Sequence, residues 1–109
     1  MKKKTKIKPS KRAKKRYIVF ETLLDMDVYT ARNVILKNAL NMLGNNYHKA
    51  NIIFLKNKYR PLLRRGIVRV NNKFVGDTIN ALNDGKRIKT IGISGILKKA
   101  EKKYFKIAS

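Results

Sequence analysis

The chain has 109 residues, among them 28 Lys and Arg, 6 Asp and Glu, one His and no Cys. That length suits a single domain with a modest core. Without cysteine the protein has no disulfide and no thiolate ligand or nucleophile, and one histidine is too few for a histidine metal cluster. We therefore expect no cofactor bound by the protein itself and a fold that depends on packing alone.

The formal net charge of +22 dominates the composition. Repulsion on that scale opposes a compact state unless a polyanion neutralises it, so nucleic acid is the expected partner. The alternative is a lysine-rich surface that only keeps the protein soluble. Apolar runs are far shorter than the roughly 20 residues that span a bilayer, and no apolar signal segment follows the N-terminal lysines. We expect a cytoplasmic protein without a membrane partner.

Residues 1–15 begin MKKKTKIKPS and are predicted to form a basic, flexible arm ahead of one folded domain at 16–109. The composition leaves open whether this arm is a solvated tail or a phosphate-binding segment. In a eukaryote its KRAKKR sequence would also resemble a nuclear signal.

The folded part opens with YIVFETLL, residues 17–24, whose β-branched and aromatic side chains predict a mostly buried strand. Apolar residues at helical spacing then predict a helix from Val28 to Leu43 that ends at Gly44. Further elements follow in chain order: a loop at 45–49, a strand at 50–59, a basic connection with Arg64 and Arg65, a strand at 66–70, a helix from Asn71 or Asn72 to Leu82, a strand at 87–91 and a last helix from Ile96 to about Ile107.

This order of elements is β-α-β-β-α-β followed by one more helix. It predicts an α+β fold, a ferredoxin-like split βαβ sandwich in which two helices pack on one face of a four-stranded antiparallel sheet. The extra C-terminal helix has apolar residues on one side and lysines on the other. No internal repeat or second domain is visible in the sequence.

The segment GISG at 92–95 poses the main question about chemistry. A hydrolase nucleophile elbow requires G-x-S-x-G, but Ile96 stands where the last glycine belongs, and His48 is the sole possible histidine base. A structural role needs fewer assumptions: Gly92 and Gly95 let the chain turn, and Ser94 caps the last helix. The free N–H groups of that helix start are also predicted to hold an RNA phosphate. We predict no catalytic residue in this chain.

A basic protein with this order of elements invites comparison with the RNA-recognition motif, whose third strand reads K/R-G-F/Y-G/A-F-V-x-F/Y. Residues 65–70 read RGIVRV, so the opening matches while Ile67 and Arg69 replace the stacking aromatics. Tyr17 and Phe20 on the first strand do not restore the pair. The sheet face is therefore predicted to bind a protein partner or to be covered by the extra helix, and RNA to be held by its backbone and shape.

Four segments carry a resemblance to a known family: RYIVFETLL after a basic leader, ALNMLG at the end of the first helix, RGIVRV, and IKTIGISGILKK. Together they resemble archaeal ribonuclease P protein component 2, the counterpart of a small subunit of eukaryotic ribonuclease P and MRP. The likeness extends from about Arg16 to Phe105. The family motif commonly has a threonine after Ser-Gly, where this chain has Ile96, which puts an RNA contact of that side chain in doubt.

The resemblance implies an accessory subunit of the ribonucleoprotein that removes the 5′ leader from precursor tRNA. It also implies that the RNA and its magnesium ions perform the catalysis. The implied partners are ribonuclease P RNA, precursor tRNA and ribonuclease P protein component 3, with two copies of each protein able to associate as a heterotetramer. The alternatives are a structural RNA-binding protein, such as a small ribosomal protein, and an independent serine hydrolase.

The residues predicted to contact RNA are basic side chains of the arm, the central connection, the third strand and the last helix, together with the Ser-Gly corner. They are Lys11, Arg12, Lys14, Lys15, Arg16, Arg64, Arg65, Arg69, Ser94, Gly95, Lys98, Lys99, Lys102 and Lys103. Each of the basic ones has an ordinary alternative as a solvated surface charge.

Overall fold

The computed structural model describes residues 14–105, which form an α+β fold around one four-stranded antiparallel sheet. The order across the sheet is β2-β3-β1-β4, so β1 and β3 are central. The strands are β1 (Lys15–Thr22), β2 (Ile53–Phe54), β3 (Arg65–Asn71) and β4 (Ile88–Ser94). The helices are α1 (Val28–Leu43), α2 (Tyr47–Ala50), α3 (Val75–Asp84) and α4 (Leu97–Tyr104). Within this range no helix is long and apolar enough to cross a membrane.

The first helix has the boundaries that its sequence predicts. Asp27 is its N-cap, because Oδ1 accepts a hydrogen bond of 2.8 Å from the Thr30 N–H. Gly44 ends the helix at φ 52, a left-handed value that glycine adopts without steric cost. Hydrogen bonds from the Thr30 side chain and then from its backbone lower the pKa of Asp27.

The larger core lies between one face of the sheet and helices α1 and α3. Ile18 and Phe20 point to this face from β1 and are fully buried with Ile35 of α1. Phe20 stacks on Tyr59 with ring centroids 6.1 Å apart, and a Cβ at Gly66 would come within 2.6 Å of the Phe20 ring. Gly66 therefore gives the aromatic cluster the space it needs.

A second, smaller core lies on the opposite face of the sheet, beneath α4. Val19 and Ile67 alternate with the residues of the first core and are fully buried, and Ala100 of α4 packs on them. The Tyr104 ring occupies the space that a side chain at Gly92 would require. Of the two predicted uses for this face, coverage by the last helix is the one observed.

Several predicted boundaries are wrong. The predicted loop at 45–49 contains a 3₁₀ turn, Gly44–Asn46, and the start of α2. The predicted strand at 50–59 is reduced to the two residues of β2, because Asn51 takes a left-handed φ of 51 and residues 56–58 form another 3₁₀ turn. β4 continues three residues beyond its predicted end at position 91 and includes Ser94.

The predicted roles of the corner residues also change. Gly92 lies inside β4, paired with Val19, and its φ is not in the left-handed region, so it serves close packing and not a turn. The N-cap of α4 is Ile96, not Ser94. The Ser94 hydroxyl accepts a bond of 3.1 Å from the Ile96 N–H and donates one of 2.8 Å to the Ile96 carbonyl, which fixes the loop just before the helix.

We expect Gly92→Ala to destabilise the protein by about 1–3 kcal/mol, because the added methyl group displaces the Tyr104 ring from the sheet. Gly95→Ala is the matched control, since a Cβ there meets its nearest neighbour, the Arg16 Nη1, at 3.6 Å, an ordinary contact. Urea unfolding of both variants tests this. Equal stability of the two would show that α4 does not depend on close approach at Gly92.

We expect Asp27→Asn to reduce the loss of stability in acid while it preserves the cap at neutral pH. A lowered carboxyl pKa stabilises the fold above the unfolded-state pKa, and this contribution disappears as pH falls through the folded-state pKa. Wild type should therefore lose more stability than Asp27→Asn between neutral pH and about pH 3. Thermal unfolding as a function of pH measures this, and superimposable acid profiles would contradict it.

Candidate nucleic-acid interface

The outer side of α4 presents a row of exposed lysines. Its apolar residues Leu97, Ala100 and Tyr104 face the sheet, so the remaining positions face outward. The exposed residues are Lys98, Lys99, Lys102 and Lys103. Among residues 14–105 none of these four has a salt-bridge partner, although the Lys103 ammonium lies 5.4 Å from the centroid of the Tyr104 ring.

The start of β1 meets the corner that precedes α4. Tyr17 pairs with Ser94, and the Arg16 guanidinium lies beside Gly95. Lys14 and Lys15 are exposed just before them. Four of the predicted contacts, Lys15, Arg16, Ser94 and Gly95, are thus brought together at one end of the sheet, whereas Lys11 and Arg12 lie outside the described residues. We name this region the corner surface and include in it Lys14 and the first-turn lysines Lys98 and Lys99.

Tertiary structure adds two basic residues to the neighbourhood that the sequence reasoning missed. The Asn71 side chain donates a bond of 3.4 Å to the Lys49 carbonyl and accepts one of 3.0 Å from the Lys73 N–H. Because Asn71 pairs with Lys15, both lysines lie near the start of β1. Periodicity did not identify Lys49, because a loop is predicted at 45–49.

The two arginines of the central connection are occupied within the protein. Arg64, at a left-handed φ of 56, pairs with Asp25 at 2.6 Å at the far end of β1 from the corner surface. Arg65 pairs with Glu21 at 3.2 Å and donates a bond of 2.8 Å to the Tyr104 carbonyl. Arg65 therefore ties β3 to β1 and to the end of α4, a role that the sequence did not indicate.

Arg69 lies on the same strand and on the same face as Arg65 but has a different environment. It pairs with Tyr17 on one side and with Ile53 on the other. Its Nε is buried and has no hydrogen-bond partner, and no acceptor for its other nitrogens lies among residues 14–105. Within that range it is a half-buried cation that the protein itself leaves unpaired.

The electrostatics of the site follow from where the few carboxylates lie. Glu21, Asp25 and Glu101 pair with Arg65, Arg64 and Lys58 respectively. None of these pairs involves a residue of the corner surface, so its lysines keep their full charge toward solvent. In the described part of the chain no three His, Asp or Glu side chains are grouped closely enough to hold a metal ion. This arrangement suits contacts to phosphates.

Comparison with known proteins gives two curated relatives, both from species of Pyrococcus. The chain is 36% identical to "Ribonuclease P protein component 2" of Pyrococcus abyssi, over 88% of each sequence. It is 33% identical to the protein of the same name from Pyrococcus horikoshii, over 95% of this chain and 93% of the relative. No family model matches the sequence. With this identity over nearly the full length of both relatives, the chain belongs to the ribonuclease P protein component 2 family.

Proposed function

We propose that this protein is an accessory subunit of ribonuclease P, and that it assists the RNA of that enzyme in removing the 5′ leader from precursor tRNA. The observation that carries the proposal is the corner surface, where lysines without salt-bridge partners in the described range surround the start of α4. The relatives of the chain are named for this enzyme. RNA is the ligand that such a surface suits best.

The proposed mechanism is electrostatic. RNA helices that converge around an active centre repel one another through their phosphates, and bound magnesium ions reduce that repulsion. Cationic side chains of the corner surface would also reduce this repulsion between phosphates. They would thereby raise the population of the active RNA geometry at a given magnesium concentration. Catalysis remains with the RNA and its magnesium ions, and this chain supplies no reacting group.

A protein partner, ribonuclease P protein component 3, completes the proposal, with a heterotetramer as its assembly. Several large apolar side chains support a protein contact in addition to RNA: Leu62 is fully exposed, at 100%, and Leu24 is 61% exposed. Both lie away from the corner surface, in the loops after β1 and before β3. We place the assembly in the cytoplasm.

We also assign the fold to the ferredoxin-like arrangement. The support is the split βαβ connectivity, in which α1 and α3 each follow a central strand and pack on the same face of the sheet. In this assignment α4 is an addition that covers part of the second face and leaves its own lysines exposed.

The test is the double variant Lys98→Gln/Lys99→Gln. We expect its affinity for ribonuclease P RNA to fall most at low salt, because each lost phosphate contact reduces the slope of log K against log salt by about 0.9 for a duplex region. The matched control is Lys37→Gln/Lys86→Gln, which removes the same charge from exposed positions on α1 and after α3. Filter binding over a salt series measures both. Equal slopes for the two double variants would remove the corner surface from the RNA contact.

A further inference from the structure

The face of the sheet under α4 is only partly covered. Along β1 and β3, α4 packs on Val19 and Ile67, while Arg65 and Glu21 lie beneath its C-terminal end. The next row toward the start of β1 consists of one residue from each strand, namely Ile53, Arg69, Tyr17 and Ser94. We call this the end row. All four of its residues are half-buried, so the row is not sealed by the helix.

Arg65 and Arg69 differ in whether residues 14–105 supply hydrogen-bond acceptors for the guanidinium. Arg65 has two acceptors inside the protein, the Glu21 carboxylate and the Tyr104 carbonyl. Arg69 has none within residues 14–105, and its Nε is shielded from water as well. Burying an unpaired donor is costly, and an arginine cannot lose its proton to escape that cost. The buried Nε of Arg69 therefore has no acceptor among residues 14–105, and a bound anion would supply one.

The neighbour of Arg69 defines what kind of acceptor fits. Tyr17 is directly opposite on β1, and such cross-strand neighbours have Cβ atoms about 4.5–5.5 Å apart on the same face. A guanidinium is suited to a phosphate, which its N–H groups bind in pairs, and an aromatic ring is a platform for a nucleobase. Phosphate and base are adjacent in a single nucleotide. A base within a duplex cannot reach the ring, so the nucleotide must be unpaired.

We propose that Arg69 and Tyr17 form a subsite for one unpaired nucleotide of the bound RNA, with its phosphate on the guanidinium and its base against the tyrosine ring. This inference rests on the proposed RNA-binding function and deepens it. It also gives a use to the RGIVRV segment, in which Arg69 replaces a stacking aromatic. The replacement removes one stacking platform and supplies a phosphate ligand next to the platform that remains.

The sequence alone pointed away from this subsite, because Ile67 and Arg69 replace the stacking aromatics and Tyr17 and Phe20 do not restore the pair. They lie on opposite faces of the sheet: Phe20 is fully buried against α1 and α3, and only Tyr17 lies with Arg69. The alternation of a strand separates positions 17 and 20, so this distinction was available from β1 once its register was known.

The test uses two RNA probes with equal numbers of phosphates, an unstructured oligouridine and a blunt-ended duplex. We expect Arg69→Gln to weaken binding of oligouridine about tenfold, the loss typical of a hydrogen bond to a charged group, and to affect the duplex much less. Its salt slope for the single strand should fall by about 0.7, one phosphate contact. Lys37→Gln is the charge-matched control and should not distinguish the two probes.

Tyr17 is tested separately with a pair of substitutions. Tyr17→Phe keeps the ring and should bind oligouridine like wild type, whereas Tyr17→Leu keeps apolar packing against α4 but loses the platform. We expect the leucine variant to lose about tenfold in oligouridine affinity, as for removal of one stacked base. Equal affinities for the two variants would overturn the role of the ring.

Thermal unfolding separates binding from structure. Arg65→Gln removes two internal contacts and should lower the melting temperature, whereas Arg69→Gln should leave it unchanged or raise it. A decrease for Arg69→Gln comparable to that of Arg65→Gln would make Arg69 structural and overturn the proposal, as would equal losses on both probes. The wild-type protein is measured against ribonuclease P RNA in parallel. If it fails to bind that RNA, the proposed function fails; if it binds while Arg69→Gln behaves like Lys37→Gln, only the subsite fails.

Discussion

The attachment of α4 to the sheet organises the rest of this protein. The Tyr104 ring lies against the backbone at Gly92, and the Tyr104 carbonyl accepts a hydrogen bond from Arg65, which also holds Glu21. Ala100 is buried on Val19 and Ile67 between these anchors and the start of the helix. Burial of a Val or Ile side chain contributes about 1.5–3 kcal/mol, so this small second core is a substantial part of the stability of a domain of this size.

That attachment also determines which charges face outward. With its apolar side on the sheet, α4 has no position for its lysines except the exposed surface. The carboxylates that form salt bridges within residues 14–105 pair with basic residues outside the corner surface: Glu21 with Arg65, Asp25 with Arg64 and Glu101 with Lys58. Since exposed ion pairs stabilise a protein only slightly, the main effect of this placement is to leave the corner surface strongly positive.

Local chemistry made part of this structure predictable. The boundaries of α1 follow from a capping aspartate, helical spacing of apolar residues and Gly44, all of which act within a few residues of one another. The four antiparallel strands were also predicted, and coverage of the second face by the C-terminal helix was one of the two uses predicted for it. β2 was predicted too long, because ANIIFLKNKY has strand-like composition while a left-handed Asn51 and the turn at 56–58 limit the extended part to Ile53–Phe54.

The site was harder to predict because hydrogen-bond partners come from distant parts of the chain. The sequence alone does not distinguish Arg64, Arg65 and Arg69, because it does not show which of them have hydrogen-bond acceptors. Only the folded chain shows that the first two have acceptors and that Arg69 has none within residues 14–105. Similarly, the sequence suggests that Gly92 and Gly95 form one turn. In the structure a side chain at Gly92 would collide with the Tyr104 ring, whereas one at Gly95 would meet its neighbours at ordinary distances.

If this protein assists a catalytic RNA, as we propose, cleavage of precursor tRNA at limiting magnesium shows it most directly. Ribonuclease P RNA would be assayed alone, with this protein, and with this protein together with component 3, beside the proteins without RNA. We expect cleavage at magnesium concentrations where the RNA alone is inactive, and no cleavage by the proteins alone. An unchanged magnesium requirement with correctly folded RNA and both proteins present would contradict it.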